Sequence, residues 1–359
     1  MKYYQFKART KNFFTVVLKD PRRKSLLTIA FEYLKFQVVN RTIAEQYFEK
    51  FFYRKGAHDF NDYLLTESML HKCWNLNNAN YISVLDNKYL FEQFFTHYHL
   101  KVVKSHAYNI NSVFLANGAV IQVNSKEEFT DFLMNLQKDS PGSCGIFIKK
   151  KEGSCGGKGI FKLSPAEINV NNPQLEVVFH NVIRSSYIFQ EEVIQHEGIS
   201  ALNPYCLNTI RIDTFTNKQN ISKILSSFIR LGVNRSYVDN VSSGGVFVGI
   251  NLKDGTLCAE AYSDFSHGKG KTFKVHPETA LKFEGYRIPY FQEAKELAIA
   301  AAQRLPQVKI IGWDIAIQPD GPVLIEGNDT PGLNHSEVGH MGYLHNPVFS
   351  EVYAEIKEK

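Results

Sequence analysis

The stretch that most constrains this chain runs from Gly312 to Leu333, GWDIAIQPDGPVLIEGNDTPGL. Two strand-like runs, Trp313 to Ile317 and Val323 to Glu326, flank the turn sequence Gln-Pro-Asp-Gly-Pro and so predict an antiparallel hairpin. A hairpin centred on Asp320 sets Asp314 opposite Glu326. Asn328 follows Glu326 by two, and side chains repeat by two along a strand, so Asp314, Glu326 and Asn328 share one face. Ile315, Ile317, Val323 and Ile325 are expected on the other, apolar face. Two carboxylates directly opposed across strands repel. A hard divalent cation with oxygen ligands removes that cost, and Mg2+, which keeps waters and phosphate oxygens among its ligands, suits this set. The plain alternative is the polar outer face of an ordinary hairpin.

The 359 residues are enough for two or three packed units with cores of their own. No run approaches the roughly 20 apolar residues needed to span a bilayer. The start, MKYYQFKARTKNFFTVVLKD, is too interrupted for a secretory signal. Five scattered cysteines with no C-x-x-C suggest neither a disulfide framework nor a zinc site, so a cytoplasmic location is expected. Charge is unevenly placed: residues 1–55 hold 13 Lys and Arg against 4 Asp and Glu, whereas the rest hold 28 against 32. The basic excess therefore belongs to the first segment and not to the hairpin.

That first segment predicts one or two helices between Ser25 and Arg54, rich in aromatic residues. Two readings stand: a helical lid packed on the main body with its charges in water, or a face that touches a membrane surface or a partner. The polar break NLNNAN, residues 75–80, marks a boundary, and Asp86-Asn87 can cap a helix from Lys88 to His99. Short strands are expected at Lys101–Val103 and Ala119–Val123, then a helix from Lys126 to Gln137. Beyond Thr209 the pattern is mostly β, with one late helix from Phe291 to Arg304.

Three further stretches carry chemistry. A strand ending at Lys149 runs into KKKEGSCGGKGI, where Gly153, Ser154, Gly156 and Gly157 let backbone N–H groups approach phosphate oxygens and the lysine adds a point charge. The spacing departs from the Walker A pattern, because only three residues separate Gly153 from Gly157-Lys158. A bulged hairpin would read the same way. The strand end FQEEVI, with Glu191 and Val193, can offer backbone and carboxylate groups to an adenine edge, or be a solvated strand end. Arg211 and Arg230 stand on successive strands and can grip a carboxylate or phosphate by bidentate hydrogen bonds, or simply face water.

In this order the pieces resemble the ATP-grasp superfamily over roughly Asp86 to His335, and within it the sugar-transfer-associated and glutamate-ligase-like groups, through NTIR, RLG, VDN…GG and HPET…GWDIAI. The resemblance implies an α+β ATP-grasp fold, two subdomains clasping ATP, preceded by a helical N-terminal segment. Expected divisions are 1–80, 81–188 and 189–359. It implies that Lys88 and Lys149 contact phosphates, with Gly153, Ser154 and Gly156 in the loop that closes on them. Glu191 and Val193 form the adenine hinge, and His196 stands where relatives carry a ribose-binding acid. Asp314, Glu326 and Asn328 hold Mg2+, and Arg211, Arg230 and Asn240 bind the acyl substrate or its phosphate.

The implied reaction is carboxylate–amine ligation: a carboxylate takes the γ-phosphate of ATP, and an amine displaces phosphate from the resulting acylphosphate. The sugar-associated resemblance implies an amino acid joined to a sugar or glycan precursor in polysaccharide biosynthesis. Competing readings are a phosphotransferase acting on a hydroxyl and a non-catalytic nucleotide-binding scaffold. No nucleic-acid motif is visible, and contact with the membrane surface through residues 1–55 stays open.

Overall fold

The computed structural model describes residues 13–40, 45–56, 60–64, 66–138, 145–153, 159–236, 239–265 and 270–359. Two antiparallel sheets organise it. The first has six strands in the order β3-β2-β1-β6-β4-β5: β1 (Ser105–Ile110), β2 (Val113–Ala116), β3 (Ala119–Gln122), β4 (Ile146–Lys150), β5 (Ile160–Leu163) and β6 (Tyr187–Glu191). The second has seven in the order β11-β10-β9-β8-β7-β12-β13: β7 (Ile210–Thr216), β8 (Ser222–Leu231), β9 (Val246–Ile250), β10 (Leu257–Ser263), β11 (Thr272–Phe273), β12 (Ile310–Gln318) and β13 (Gly321–Asn328). The division expected at 188/189 falls inside β6, which stays in the first sheet.

Two helices cover one face of the first sheet. Ile146, Ile148, Phe189 and Phe114 point to the helices Lys126–Lys138 and Pro173–Val182, whose Phe129, Leu133, Leu175 and Val178 complete that core. By strand alternation Phe147 and Lys149 face the other way, toward the second sheet. Strand β7 is buried along its whole length, because the second sheet is covered on both faces. On one side lies the alanine-rich helix Phe291–Arg304, with Ala294, Ala298, Ala301 and Ala302 allowing close approach to Ile311, Trp313 and Ile315. On the other side pack the N-terminal residues and the helices Leu333–Gly339 and Pro347–Glu358.

The N-terminal region forms helices Leu26–Asn40 and Glu45–Glu49. Tyr47, Phe51, Phe52 and Tyr53 pack under Phe228 and Phe247 of the second sheet, so it covers the body as a lid. Its charges, expected in water, are in part buried with it: Lys50 pairs with Glu337 at 2.6 Å and Arg54 with Asp20 at 2.6 Å, all four side chains nearly inaccessible. The partners of Lys24 and Arg22, Glu32 and Glu260, absorb two more of the basic charges. Among the described residues no helix is long and apolar enough to cross a membrane.

The hairpin forms with the expected register at its open end and a different one at its turn. Asp314 pairs with Glu326 and Gly312 with Asn328, but Ile315 pairs with Leu324 and Gln318 with Gly321. A bulge at Ile325 therefore shifts the turn by one residue. It also corrects the expected apolar face. Ile315 and Ile317 join Leu324 in the large core, whereas Val323, with Ile325 packed beside it, lies with Ala316 on the carboxylate side.

Candidate nucleotide and metal site

Strands β7, β8, β12 and β13 bring four charged groups onto one face. Arg211 is the cross-strand neighbour of Asp314, and Arg230 stands two residues beyond Phe228, the partner of Arg211 on β8. Arg211 Nε donates to Asp314 Oδ1 at 2.6 Å, and Arg230 Nη2 donates to Asp314 Oδ2. Burial pushes the Asp314 carboxyl up, but the two guanidinium groups outweigh it and hold it well below the usual carboxylate range. Glu326 moves the opposite way: burial and then the charge of Asp314 raise it, against Lys88 and Arg230. The opposed pair thus splits, with Asp314 charged and Glu326 retaining a proton to higher pH.

Glycine leaves room for close packing on both strands of this junction. A Cβ on Gly327 would meet Leu85 Cδ2 at 2.8 Å, and one on Gly312 would meet Pro331 Cβ at 2.7 Å and Arg211 Nη1 at 3.0 Å. Leu85 precedes the helix Lys88–His97, which Asn87 caps by accepting from Tyr89 N and Leu90 N. Phe91 and Phe95 of that helix pack on Trp313, and this contact seats Lys88 at the edge strand β13, its Nζ 3.8 Å from Glu326 Oε2. The backbone N–H of Lys88 also donates to Lys151 O at the end of β4. Lys149, two residues earlier, faces the same gap. Burial lowers its ammonium to about 8, with Glu326 opposing and Lys88 adding to the fall.

Lys88, Lys149, Glu326, Asp314, Arg211 and Arg230 therefore converge between the sheets. Asn328 lies beside them, its amide donating to Gly312 O at 3.3 Å. Gly153 lies in the β4–β5 connection with φ +65°, while Ser154 and Gly156 fall outside the described residues. Val193 follows β6 into an apolar cluster with Val103, Ala316, Val323, Leu207 and Ile325. Glu191 is paired with Ile146 at the end of β6, and its neighbour Glu192 accepts from Lys162 at 2.6 Å. His196 caps the helix Glu197–Leu202 through Nδ1, which accepts from Gly198 N at 3.0 Å. Its backbone N–H donates to Ile317 O, three residues along β12 from Asp314.

Asn240 caps the turn Val241–Ser243, accepting from Ser242 N at 3.1 Å. The group that reaches Arg230 is its neighbour Asp239, 3.6 Å from Nε, which also accepts from Thr209 N and Oγ1. Thr209 Oγ1 in turn accepts from Arg230 Nε at 2.9 Å. The sequence reading passed over Asp239 and Thr209; the adjacency of Asp239 to Asn240 in VDN and of Thr209 to Arg211 in NTIR was the available signal.

Asp314, Glu326 and the Asn328 amide oxygen are hard oxygen donors that suit a divalent cation, whose charge would offset the burial and the Asp314 charge that raise Glu326. Among the described residues no group of three His, Cys, Asp or Glu is placed to hold a metal.

Residues 72–346 match the family described as sugar-transfer associated ATP-grasp, and the chain belongs to that family. Its two sheets and helical N-terminal region form an ATP-grasp fold. Similar solved structures include an ADP complex of purK, N5-carboxyaminoimidazole ribonucleotide synthetase, 13% identical, covering 72% of this chain and 48% of that one with a TM-score of 0.42. The D-alanine-D-alanine ligase from Coxiella burnetii is 11% identical, covering 79% and 60% with a TM-score of 0.43. The ATP-grasp ligase PsnB, complexed with minimal precursor, is 11% identical, covering 78% and 63% with a TM-score of 0.42. The chain thus spans between about half and just under two thirds of these proteins' lengths. A comparison with curated proteins found no match.

Proposed function

We propose that the chain is an ATP-dependent carboxylate–amine ligase, joining an amino acid to a sugar or glycan precursor by way of an acylphosphate. The observation that carries this reading is the convergence of two lysines on a carboxylate pair, one member of which is bound by two arginines, in one gap between the sheets. Lys88 and Lys149 are placed to bind phosphate oxygens as point charges. Adenine would lie against Val193, Ala316 and Val323, with the backbone after Glu191 at its edge. Asp314, Glu326 and Asn328 would hold Mg2+, which when bound supplies charge neutralisation to the phosphates. Arg211 and Arg230 hold the Asp314 carboxyl low, and their guanidinium charge would hold the carboxylate substrate in line with the transferred phosphoryl group.

Incubation with ATP, Mg2+, a carboxylate pool and hydroxylamine tests the reading. A ligase yields hydroxamate and free phosphate; a phosphotransferase transfers phosphate to a hydroxyl and yields neither, and a scaffold binds ATP without turnover.

A second reading concerns location. Leu27, Phe31, Leu34 and Val38 of the helix Leu26–Asn40 are 85, 70, 60 and 78% exposed, and their spacing puts them on one face. This favours peripheral contact with a membrane surface. Co-sedimentation of the protein with anionic vesicles, lost in Leu27→Ser/Phe31→Ser, is the expected result; failure to sediment at low salt refutes the contact.

A further inference from the structure

Each of the two arginines on Asp314 has a second carboxylate beside it. Arg230 stands between Asp314 and Asp239: Nη2 donates to Asp314 Oδ2, and Nε lies 3.6 Å from Asp239 Oδ2. Thr209 fixes the Asp239 side, its N–H and Oγ1 donating to Oδ2 at 2.9 and 2.6 Å, while Oγ1 accepts from Arg230 Nε at 2.9 Å. Glycine lets the chain close here, because a Cβ on Gly245 would meet Asp239 O and Leu231 O. Burial raises the Asp239 carboxyl, Arg230 and the Thr209 hydrogen bonds oppose the rise, and the charge of Asp314 adds to it.

Arg211 is arranged alike. Its Nε donates to Asp314 Oδ1 at 2.6 Å, and Asp213 follows two residues along β7, on the same face. A Cβ on Gly312 would meet Arg211 Nη1 and Asp213 Oδ1, each at 3.0 Å, so these two atoms border one gap. Asp213 Oδ2 accepts from Ser226 at 2.9 Å and from Ser336. Oδ1 is buried and has no hydrogen-bond partner among the described residues. A buried acceptor left unpaired is costly, and the cation bordering its gap is Arg211.

We propose that Asp239 and Asp213 are positioning residues for divalent-metal binding, which hold and neutralise Arg230 and Arg211 when Asp314 gives its charge to a cation. The inference rests on the metal set proposed above. Both oxygens of Asp314 serve guanidinium groups, so a cation brought to this carboxylate faces two charges of its own sign. Like charges in a poorly solvated site repel strongly. A second carboxylate behind each arginine offsets that repulsion and gives the guanidinium an acceptor outside the metal set. Asp314 can then be shared while both arginines stay where the carboxylate substrate would be held.

Asparagine separates this role from a merely structural one. At 239 its amide oxygen keeps an acceptor for the two Thr209 donors, and at 213 for the two serine hydroxyls, while the charge is lost.

The test is binding of Mn2+, standing in for Mg2+, to the full chain with ADP, read from the electron paramagnetic resonance of the free ion. Asp239→Asn is expected to weaken Mn2+ about tenfold, within the range of coupling between contacting residues, and Asp213→Asn acts in the same direction. Binding of ADP in chelator, read by titration calorimetry, is expected to stay the same or tighten, since loss of a carboxylate favours an anion. Loss of a structural contact alone would weaken both ligands together. Mn2+ affinity within about twofold of the unaltered protein, or metal-free ADP weakened in step with Mn2+, overturns the inference. Where Asp239→Asn fails to fold, Asp213→Asn decides by the same two readings. Absence of bound Mn2+ in the unaltered protein removes the metal set and this inference with it, a different result from Mn2+ that binds and tolerates both substitutions.

Discussion

Replacing Lys50 by Met tests how the N-terminal region is held. The Lys50 side chain is 3% exposed and that of Glu337 is 0% exposed, with 2.6 Å between Nζ and Oε2. Glu337 also accepts from Leu64 N at 2.6 Å through Oε1, so one carboxylate secures two N-terminal segments to the helix Leu333–Gly339. Methionine nearly matches the lysine stem in volume, so packing is kept while the charge goes. The buried Glu337 carboxylate then loses its 2.6 Å ammonium partner, and removing one partner of such a pair costs about 3–5 kcal/mol. Glu337→Gln keeps an acceptor for Leu64 N but removes the negative charge facing the Lys50 ammonium, so it too is destabilising. The double variant Lys50→Met/Glu337→Gln buries no net charge and is expected to recover part of the loss, with a coupling of about 0.5–3 kcal/mol. Chemical unfolding of the four proteins measures this cycle. A loss below about 1 kcal/mol in Lys50→Met, or strictly additive effects, would refute the buried-pair argument.

Other outcomes follow from the site. Glu326→Gln should abolish Mg2+-dependent turnover with the fold intact, and near-normal activity would remove Glu326 from the metal set. The same variant should raise stability in metal-free buffer at pH 7. A carboxyl whose folded value is raised is destabilising above its unfolded value, and the amide lacks that charge; calorimetric unfolding in chelator reads the sign. Lys149→Ala should weaken ATP binding at least tenfold by titration calorimetry. In the unaltered protein, ATP affinity should fall above about pH 8, as Lys149 loses its proton, reaching roughly tenfold weaker at pH 9. Affinity that stays flat from pH 7 to 9 would mean that this ammonium is not a phosphate contact.

The hairpin was legible because its constraints are local. The turn residues fix which positions oppose, and the Asp314–Glu326 pairing follows by counting. The bulge at Ile325 was not legible, since nothing in PVLIEGN distinguishes a regular strand from a bulged one. The helix start at Lys88 carried its own signal in the capping Asn87, while β1 and β2 lay unmarked between the strands expected at 101–103 and 119–123. The burial of Lys50 depends on Glu337, 287 residues away, and no local pattern distinguishes a lysine with such a partner from one in water. For the same reason the two arginines could be recognised as a pair, but not their commitment to Asp314, 103 and 84 residues beyond them.

Transfer of oxygen tests the central claim most directly. With a carboxylate substrate labelled with 18O in both oxygens, passage through an acylphosphate delivers one labelled oxygen to each inorganic phosphate released as the amide forms. Phosphate carrying one 18O is the expected result; unlabelled phosphate formed alongside product would contradict the acylphosphate route and with it the function proposed for this site.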